Sequence, residues 1–297
     1  MHKSAWSEFN DRRHEFLEFA IASARAAGKI QMALYNSSHS VEWTGRVHFR
    51  TEVDTGVSAM LRKELAKTYP DHNIHSEEAA DHKTDSPLTW VDDELDGTIG
   101  YVRRLINDFS FCRGLCVYDI PVLGVIIQPK AKRLYVGIIN EPTKLYTLNN
   151  NLYVIDDQNI RVNATDVLNK VHMSFYGGKE IKGKEEFCET PLDFHRRALK
   201  YPDRIACDLG FACASATLCA VADGRQEACL ATGLEPEDMA AAVPILQGAG
   251  AVVTNIALEP WRLGNKSILT ANPIIHAALA NKFKDVITEH IAKWGIV

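Results

Sequence analysis

The stretch Trp90-Val91-Asp92-Asp93-Glu94-Leu95-Asp96-Gly97-Thr98 constrains this chain more than any other, because a strand-like segment runs into a carboxylate cluster and then a glycine. Two carboxylates three residues apart at a strand end can converge on one cation. Gly97 and Thr98 can then open a helix whose unpaired backbone N–H groups point outwards, a ready anion site. Together these features describe a metal beside a phosphate. Taken alone, the same residues also fit an exposed acidic turn, so the reading depends on partners elsewhere in the chain.

Three partners are present. Glu77-Glu78 follows the short strand-like Asn73-Ile74-His75, Asp54 stands at the start of a helical pattern, and Glu237-Asp238 follows Pro236, a residue suited to a first helical turn. Hard oxygen donors without a nearby cysteine and histidine set favour Mg²⁺ over Zn²⁺. Singly, Glu77-Glu78 also reads as a solvated acid pair and Asp238 as a helix-dipole partner. No two histidines form the i, i+4 pair around an acid that a zinc protease needs. His48 and His75 lie near the motif residues and read as polar residues of the surface or the site's surroundings.

Elsewhere the pattern sets the fold class. Phe9, Phe16, Ala20, Ala24, Ala27 and Leu34 recur at spacings of 3, 4 or 7, the stripe of one long helix. A polar loop from Asn36 to Gly45 ends it. A second helix opens at Asp54, shares one face among Val57, Met60, Leu61, Leu65 and Tyr69, and stops at Pro70-Asp71-His72-Asn73, so two helices are expected before any strand. Leu88 to Val91, Ser110 to Tyr118, Val122 to Gln128 and Arg133 to Ile139 then read as an antiparallel meander.

Beyond Asn149-Asn150-Asn151, a strand at Lys170 to Tyr176 is followed by alternating elements. Helices are expected at Phe211 to Ala222, Pro236 to Gln247 and Ile274 to Trp294, and strands at Ala228 to Ala231, Ala251 to Asn255 and Ser267 to Ala271. The switch in pattern divides an N-terminal α+β lobe, residues 1–150, from a C-terminal α/β lobe, residues 151–297. The first carries most of the candidate ligands and the second supplies Asp238 and the residues that set specificity. The glycine- and charge-rich run from Gly177 to Glu186 reads as a solvated surface loop, with a lid over the substrate as the sharper reading.

Composition narrows the function. With 46% hydrophobic and 24% charged residues the chain has the material for a sizeable core. A net charge of −5 without any block of Lys or Arg gives a nucleic-acid polymer nothing to meet, so a small-molecule partner is expected. The longest apolar run, Ala240 to Leu246, is far short of the ~20 residues of a spanning helix, and the N-terminus lacks an apolar signal region. A cytoplasmic protein that does not enter a membrane is the expectation. Seven cysteines, an odd number set mostly in apolar segments, read as reduced and buried thiols.

Four segments taken in order resemble the inositol monophosphatase family: Thr51-Glu52-Val53-Asp54, Ser76-Glu77-Glu78, Trp90 to Thr98, and Asp238-Met239-Ala240-Ala241. They correspond to the family's V-T-x-x-D, G-E-E, W-I-x-D-P-[IL]-D-G-T and W-D-x-A-A patterns. The likeness extends through Tyr69-Pro70-Asp71-His72, Pro121 to Ile126, Gly224-Arg225 and Gly248 to Thr254, and so covers most of the chain from Phe16 to Phe283.

The resemblance implies an αβαβα layered sandwich of the inositol monophosphatase and fructose-1,6-bisphosphatase-like sugar phosphatase type, commonly a homodimer. It also implies Mg²⁺-dependent, in-line hydrolysis of a small phosphate monoester without a phosphoenzyme. By the same resemblance Glu77, Asp93, the carbonyl of Leu95, Asp96 and Asp238 are the metal ligands. Gly97 and Thr98 are the phosphate cradle, and Asp54, Glu77 and Thr98 are the catalytic group, with Asp54 paired to Thr98 near the attacking water.

The chain departs from the pattern beside these residues. Glu94 replaces a proline, Asp92 an apolar strand residue, Ser76 a glycine, His75 an apolar residue and Glu237 an aromatic, while Ile99 follows the D-G-T. Added carboxylates either tighten divalent binding or raise neighbouring pKa values by repulsion. At Ala231, seven residues before Asp238, the family typically carries a glutamate that accepts hydrogen bonds from ring hydroxyls. Losing that partner costs about 1–3 kcal/mol, which argues against inositol phosphate unless Glu235 substitutes. Histidinol phosphate, a sugar bisphosphate and 3′-phosphoadenosine 5′-phosphate are the family's other substrates. A catalytically impaired pseudo-phosphatase acting as a binding dimer is the remaining alternative.

Overall fold

The computed structural model describes residues 4–44, 48–105, 107, 109–177, 190–200, 204–209 and 213–295. Helix α1 (Ala5–Leu34) is capped by Ser4, whose hydroxyl accepts from Ser7 N–H, and it buries the stripe Phe9, Phe16, Ala20, Ala24 and Ala27. A hairpin of β1 (Val41–Trp43) and β2 (Phe49–Thr51) comes before α2 (Glu52–Thr68), so strands interrupt the expected run of two helices. Strand β1 is exposed along its whole length, and its three residues Val41, Glu42 and Trp43 are too short a stretch for their alternation to reveal it.

Next come β3 (Asn73–Ser76), β4 (Leu88–Asp96), α3 (Thr98–Arg103), β5 (Ser110–Val117), β6 (Ile120–Gln128), β7 (Arg133–Ile138), β8 (Lys144–Leu148) and β9 (Val154–Asn159). The strands form one seven-stranded sheet in sequence order, antiparallel throughout except between β3 and β4. The meander is therefore present and longer than expected by two strands, the short β8 and the β9 that is exposed along its whole length.

The remaining elements are β10 (His172–Gly177), α4 (Thr190–Ala198), β11 (Ala206–Leu209), α5 (Ala214–Ala222), β12 (Ala228–Thr232), α6 (Pro236–Met239), α7 (Ala242–Gly248), β13 (Val252–Thr254), β14 (Ser267–Ala271), α8 (Pro273–Lys282) and α9 (Lys284–Trp294). Their five strands run in the order β11-β10-β12-β14-β13, parallel around β10 and antiparallel around β14. The single helix expected from Pro236 to Gln247 is two, since Pro244 has no N–H to donate to the carbonyl of Ala240. The helix expected from Ile274 to Trp294 breaks at Phe283, whose ring is buried against Phe175 and Phe194. Residues 178–189, which hold most of the expected loop and Cys188, and the start of the expected helix at Phe211 lie outside the described residues.

Three apolar layers hold these elements in register. One joins α1 and α2 to a face of the seven-stranded sheet, and a second joins the opposite face, through Cys112, Cys116, Ile126 and Tyr135, to α5, α6 and α7. The third joins the five-stranded sheet to α4, α8 and α9. The result is the αβαβα sandwich. None of the six described cysteines is in a disulfide, and five of them are buried. No described helix is long and apolar enough to cross a membrane.

One glycine row positions the site. Gly114, Gly124 and Gly137 are cross-strand partners on β5, β6 and β7. A Cβ on Gly124 would meet Ala241 O at 1.8 Å, and one on Gly137 would meet Ile245 N at 2.4 Å. Only hydrogen fits there, so the α6–α7 backbone lies directly on the sheet and brings Asp238 towards β4.

Candidate metal centre and phosphate site

Strict strand alternation would send Asp93 and Asp96 to opposite faces, because side chains three positions apart differ by an odd step. The β4–β5 register shifts between Asp93 and Asp96, and this bulge turns both carboxylates towards α5. Oxygens of Asp93 and Asp96 and the sulfur of Cys112 lie within 4.8 Å of one another. Asp93 is fully buried; its Oδ1 accepts from Leu95 N–H at 3.0 Å, and its Oδ2 has no hydrogen-bond partner. Asp96 caps α5, accepting from Ala214 N–H at 3.2 Å and Ser215 N–H at 2.6 Å, with the Cys213 thiol donating at 3.2 Å.

The other expected residues surround this pair. Thr51 and Asp54 close a capping box at the start of α2, where Asp54 Oδ2 accepts from Thr51 N–H at 2.7 Å and Thr51 Oγ1 at 2.6 Å. Thr98 Oγ1 donates to Leu95 O at 2.9 Å and lies 3.5 Å from Asp54 Oδ1. Gly97, at φ 88°, makes the left-handed turn from β4 into α3, a conformation that side-chain-bearing residues rarely adopt. Glu77 follows β3, and its charge is felt by both Asp54 and Asp93. Asp238 Oδ2 accepts from Glu235 N–H at 2.8 Å, so its carboxylate is fixed at the start of α6.

The electrostatics describe a site built for a cation. Burial, then the charges of Glu77, Asp96, Asp238 and Glu94, push the Asp93 carboxyl well above the ordinary carboxylate range. Burial likewise raises Asp54 to about 6, against hydrogen bonds from Thr51 that favour its ionised form. Acids that repel one another around an orphaned buried oxygen fit a hard divalent ion, which is held by oxygen donors.

The residues that depart from the family pattern find partners. Asp92 meets Arg113 in a fully buried two-toothed pair at 2.7 Å, and Arg113 also donates to Ser23 on α1. Glu94 accepts from Ser76 Oγ at 2.6 Å, and burial raises its carboxyl to about 8. His75 Nε2 lies 3.0 Å from Glu237 and Nδ1 lies 2.8 Å from Asp81, and the Glu237 contact raises the ring to about 9. Glu94 with Ser76, and Glu237 with His75, thus pair four departures with one another.

The two positions read as substrate-facing differ in kind. Ala231 is fully buried in β12 between its strand partners Tyr176 and Ile268. Glu235 is engaged by Lys266 Nζ at 3.0 Å. Sequence reasoning read Cys112 and Cys213 only as buried thiols and passed over Tyr176, whose hydroxyl feels the charges of Asp96 and Asp238. Alternation with Asp93 across the β4–β5 pair would have found Cys112; nothing local marks the other two.

A family model described as the inositol monophosphatase family matches residues 12–288. The Nus factor SuhB of Salmonella typhimurium (strain LT2) is 26% identical over 285 residues, covering 94% of this chain and 100% of that protein. The inositol-1-monophosphatase of a Synechocystis species is 28% identical over 274 residues, covering 89% of this chain and 87% of that protein. Among solved structures, the extragenic suppressor protein SuhB of Bartonella henselae gives a TM-score of 0.78 at 22% identity, covering 91% of this chain and 98% of that one. The IMPase of Thermotoga maritima gives 0.75 at 23%, covering 93% and 99%. The structural likenesses show a shared fold, and the match of the family model along almost the whole length shows that this chain belongs to the inositol monophosphatase family.

Proposed function

We propose that this protein is a Mg²⁺-dependent phosphomonoesterase that hydrolyses a small phosphate monoester. The observation that carries the reading is Asp93, a fully buried carboxylate with one oxygen unpartnered and acids on several sides. Glu77, Asp93, the carbonyl of Leu95, Asp96 and Asp238 would hold the metal. When bound, Mg²⁺ neutralises phosphate charge, makes a bound water more acidic and stabilises the leaving alkoxide.

The chain's own residues supply the rest. Asp54 is fixed through Oδ2 by Thr51 and offers Oδ1 to the Thr98 hydroxyl. With its carboxyl at about 6, Asp54 is ionised at neutral pH and accepts the Thr98 hydroxyl proton, turned from Leu95 O to Asp54 Oδ1, as Thr98 takes the proton that the attacking water gives up. Gly97 and Thr98 contact the phosphate at the turn where β4 ends. Ala231 offers no side-chain acceptor and Glu235 is engaged by Lys266, which supports a substrate other than a hydroxyl-rich ring held by a carboxylate at those positions. We place the enzyme in the cytoplasm as a homodimer, and the mass in solution tests the second of these.

Phosphate release from inositol, histidinol, sugar and adenosine phosphates, with Mg²⁺ and again with chelator, tests the activity. Chelator-sensitive release from one class supports the reading and names the substrate. Folded protein that binds metal but releases no phosphate from any of them overturns it in favour of a binding dimer.

A further inference from the structure

We propose that Cys112 is a metal ligand, and that Asp93, Asp96 and Cys112 together bind a thiophilic divalent cation such as Zn²⁺ or Co²⁺ in competition with Mg²⁺. The inference rests on the reading of these acids as a metal site and adds a sulfur donor to it. Asp93 and Cys112 are direct cross-strand partners on β4 and β5, so their side chains leave the same face of the sheet. Their ligand atoms and an oxygen of Asp96 are mutually within 4.8 Å, and all three residues are buried. Asp93 Oδ2 has no partner in the protein, so a coordinating oxygen is available without breaking a hydrogen bond.

Ligand softness decides which ion uses the third donor. Mg²⁺ takes oxygen, whereas thiolate favours Zn²⁺ and its neighbours. Zinc–sulfur and zinc–oxygen bonds of about 2.3 and 2.0–2.2 Å put tetrahedral ligands roughly 3.5 Å apart, so ligand atoms within 4.8 Å close by about 1.3 Å at most. Two carboxylates and a thiolate leave a fourth position for water or a phosphate oxygen. Binding forms one metal–sulfur and two metal–oxygen bonds in place of metal-bound waters and releases the thiol proton, with any proton held by Asp93, to solvent, with no change of oxidation state. The competing account of Cys112 is plain packing in the layer beneath α5 and α7, where it contacts apolar neighbours.

Co²⁺ titrated into the full chain reads the sulfur directly through thiolate-to-cobalt charge-transfer absorption in the near ultraviolet. The expected result is a saturable band in the wild type and Cys213→Ser that is absent in Cys112→Ser, Cys112→Ala and Asp93→Asn. Zn²⁺ should abolish the wild-type band, and its affinity should fall at least about tenfold in Cys112→Ser. Circular dichroism establishes that each variant is folded, and Cys112→Ser stands in where the alanine variant is not. A wild type without the band, a band that survives loss of Cys112, or one lost with Cys213 instead overturns the assignment. Mg²⁺-dependent phosphate release measured alongside separates the two claims: release without the band removes only the sulfur ligand, and the band without release removes only the phosphatase reading.

Discussion

Strand β4 carries Asp92 and Glu94 on the face towards α1 and α2, and Asp93 and Asp96 on the face towards α5. On the first face each acid has a side-chain partner within 2.7 Å, Arg113 for both oxygens of Asp92 and Ser76 for Oε1 of Glu94, whose Oε2 is unpartnered. On the second, Asp96 is held by a helix start while Asp93 keeps an oxygen that nothing in the protein satisfies. Identical chemistry a residue apart therefore has two roles. Acids held by a side-chain partner fix the strand, and Asp93, which has only the Leu95 N–H and is crowded by Glu77, Asp96 and Asp238, leaves a place for a cation.

Substitutions on the two faces should separate these roles. Asp93→Asn is expected to lower Mg²⁺-dependent phosphate release about a thousandfold or more, through lost stabilisation of transition-state charge. In chelator the same variant should melt at or above the wild-type temperature, because a crowded buried carboxyl has been removed. A variant that loses activity because it melts far lower would erase the distinction between the faces.

Asp92→Ala leaves Arg113 buried and uncompensated, and should cost about 3–5 kcal/mol in urea unfolding. Replacing both partners, as in Asp92→Leu with Arg113→Met, should recover most of that loss. Recovery would show that the pair is not itself a large source of stability and that the penalty lies in orphaning one member.

Glu94 sharpens the comparison through pH. Its carboxyl is raised from 4.5 to about 8 in the folded protein, so between those values the unfolded chain has released a proton that the native chain retains. Stability of the metal-free protein should fall as pH rises from about 4.5 to 8, and Glu94→Gln should remove a share of that fall on the order of a few kcal/mol. Urea unfolding of both proteins across this range gives the difference curve.

The smallest effect is expected where β3 meets α6. The His75 ring is raised from 6.5 to about 9, so the stability it contributes is fully present below 6.5 and is lost as pH rises through about 9. His75→Ala should cost roughly 1–2 kcal/mol at pH 6 and almost nothing at pH 10. A double-mutant cycle with Glu237→Gln should assign most of that to the pair.

What the sequence made legible was local. The stripe of α1, the meander and the four-acid run each lie within a short span, where period and residue type are enough. Which acid faces which layer was not legible, because the shift between Asp93 and Asp96 reverses the parity that alternation predicts. The pairings that absorb the family departures were hidden for another reason. His75 and Glu237 are separated by 162 residues, and Cys213 reaches Asp96 across 117. Such contacts are set by the stacking of layers, and no local pattern encodes them. The glycine row was readable in part, since glycine inside a strand signals close backbone approach; that α6 and α7 fill the space emerges only once the layers are assembled.

The most direct test of the central claim is calorimetric titration of Mg²⁺ into wild type, Glu94→Gln and Asp93→Asn. If the two faces of β4 divide the work as described, Glu94→Gln binds Mg²⁺ as the wild type does and Asp93→Asn binds at least about tenfold more weakly. Equal losses in the two variants, or undiminished binding by Asp93→Asn, would contradict it.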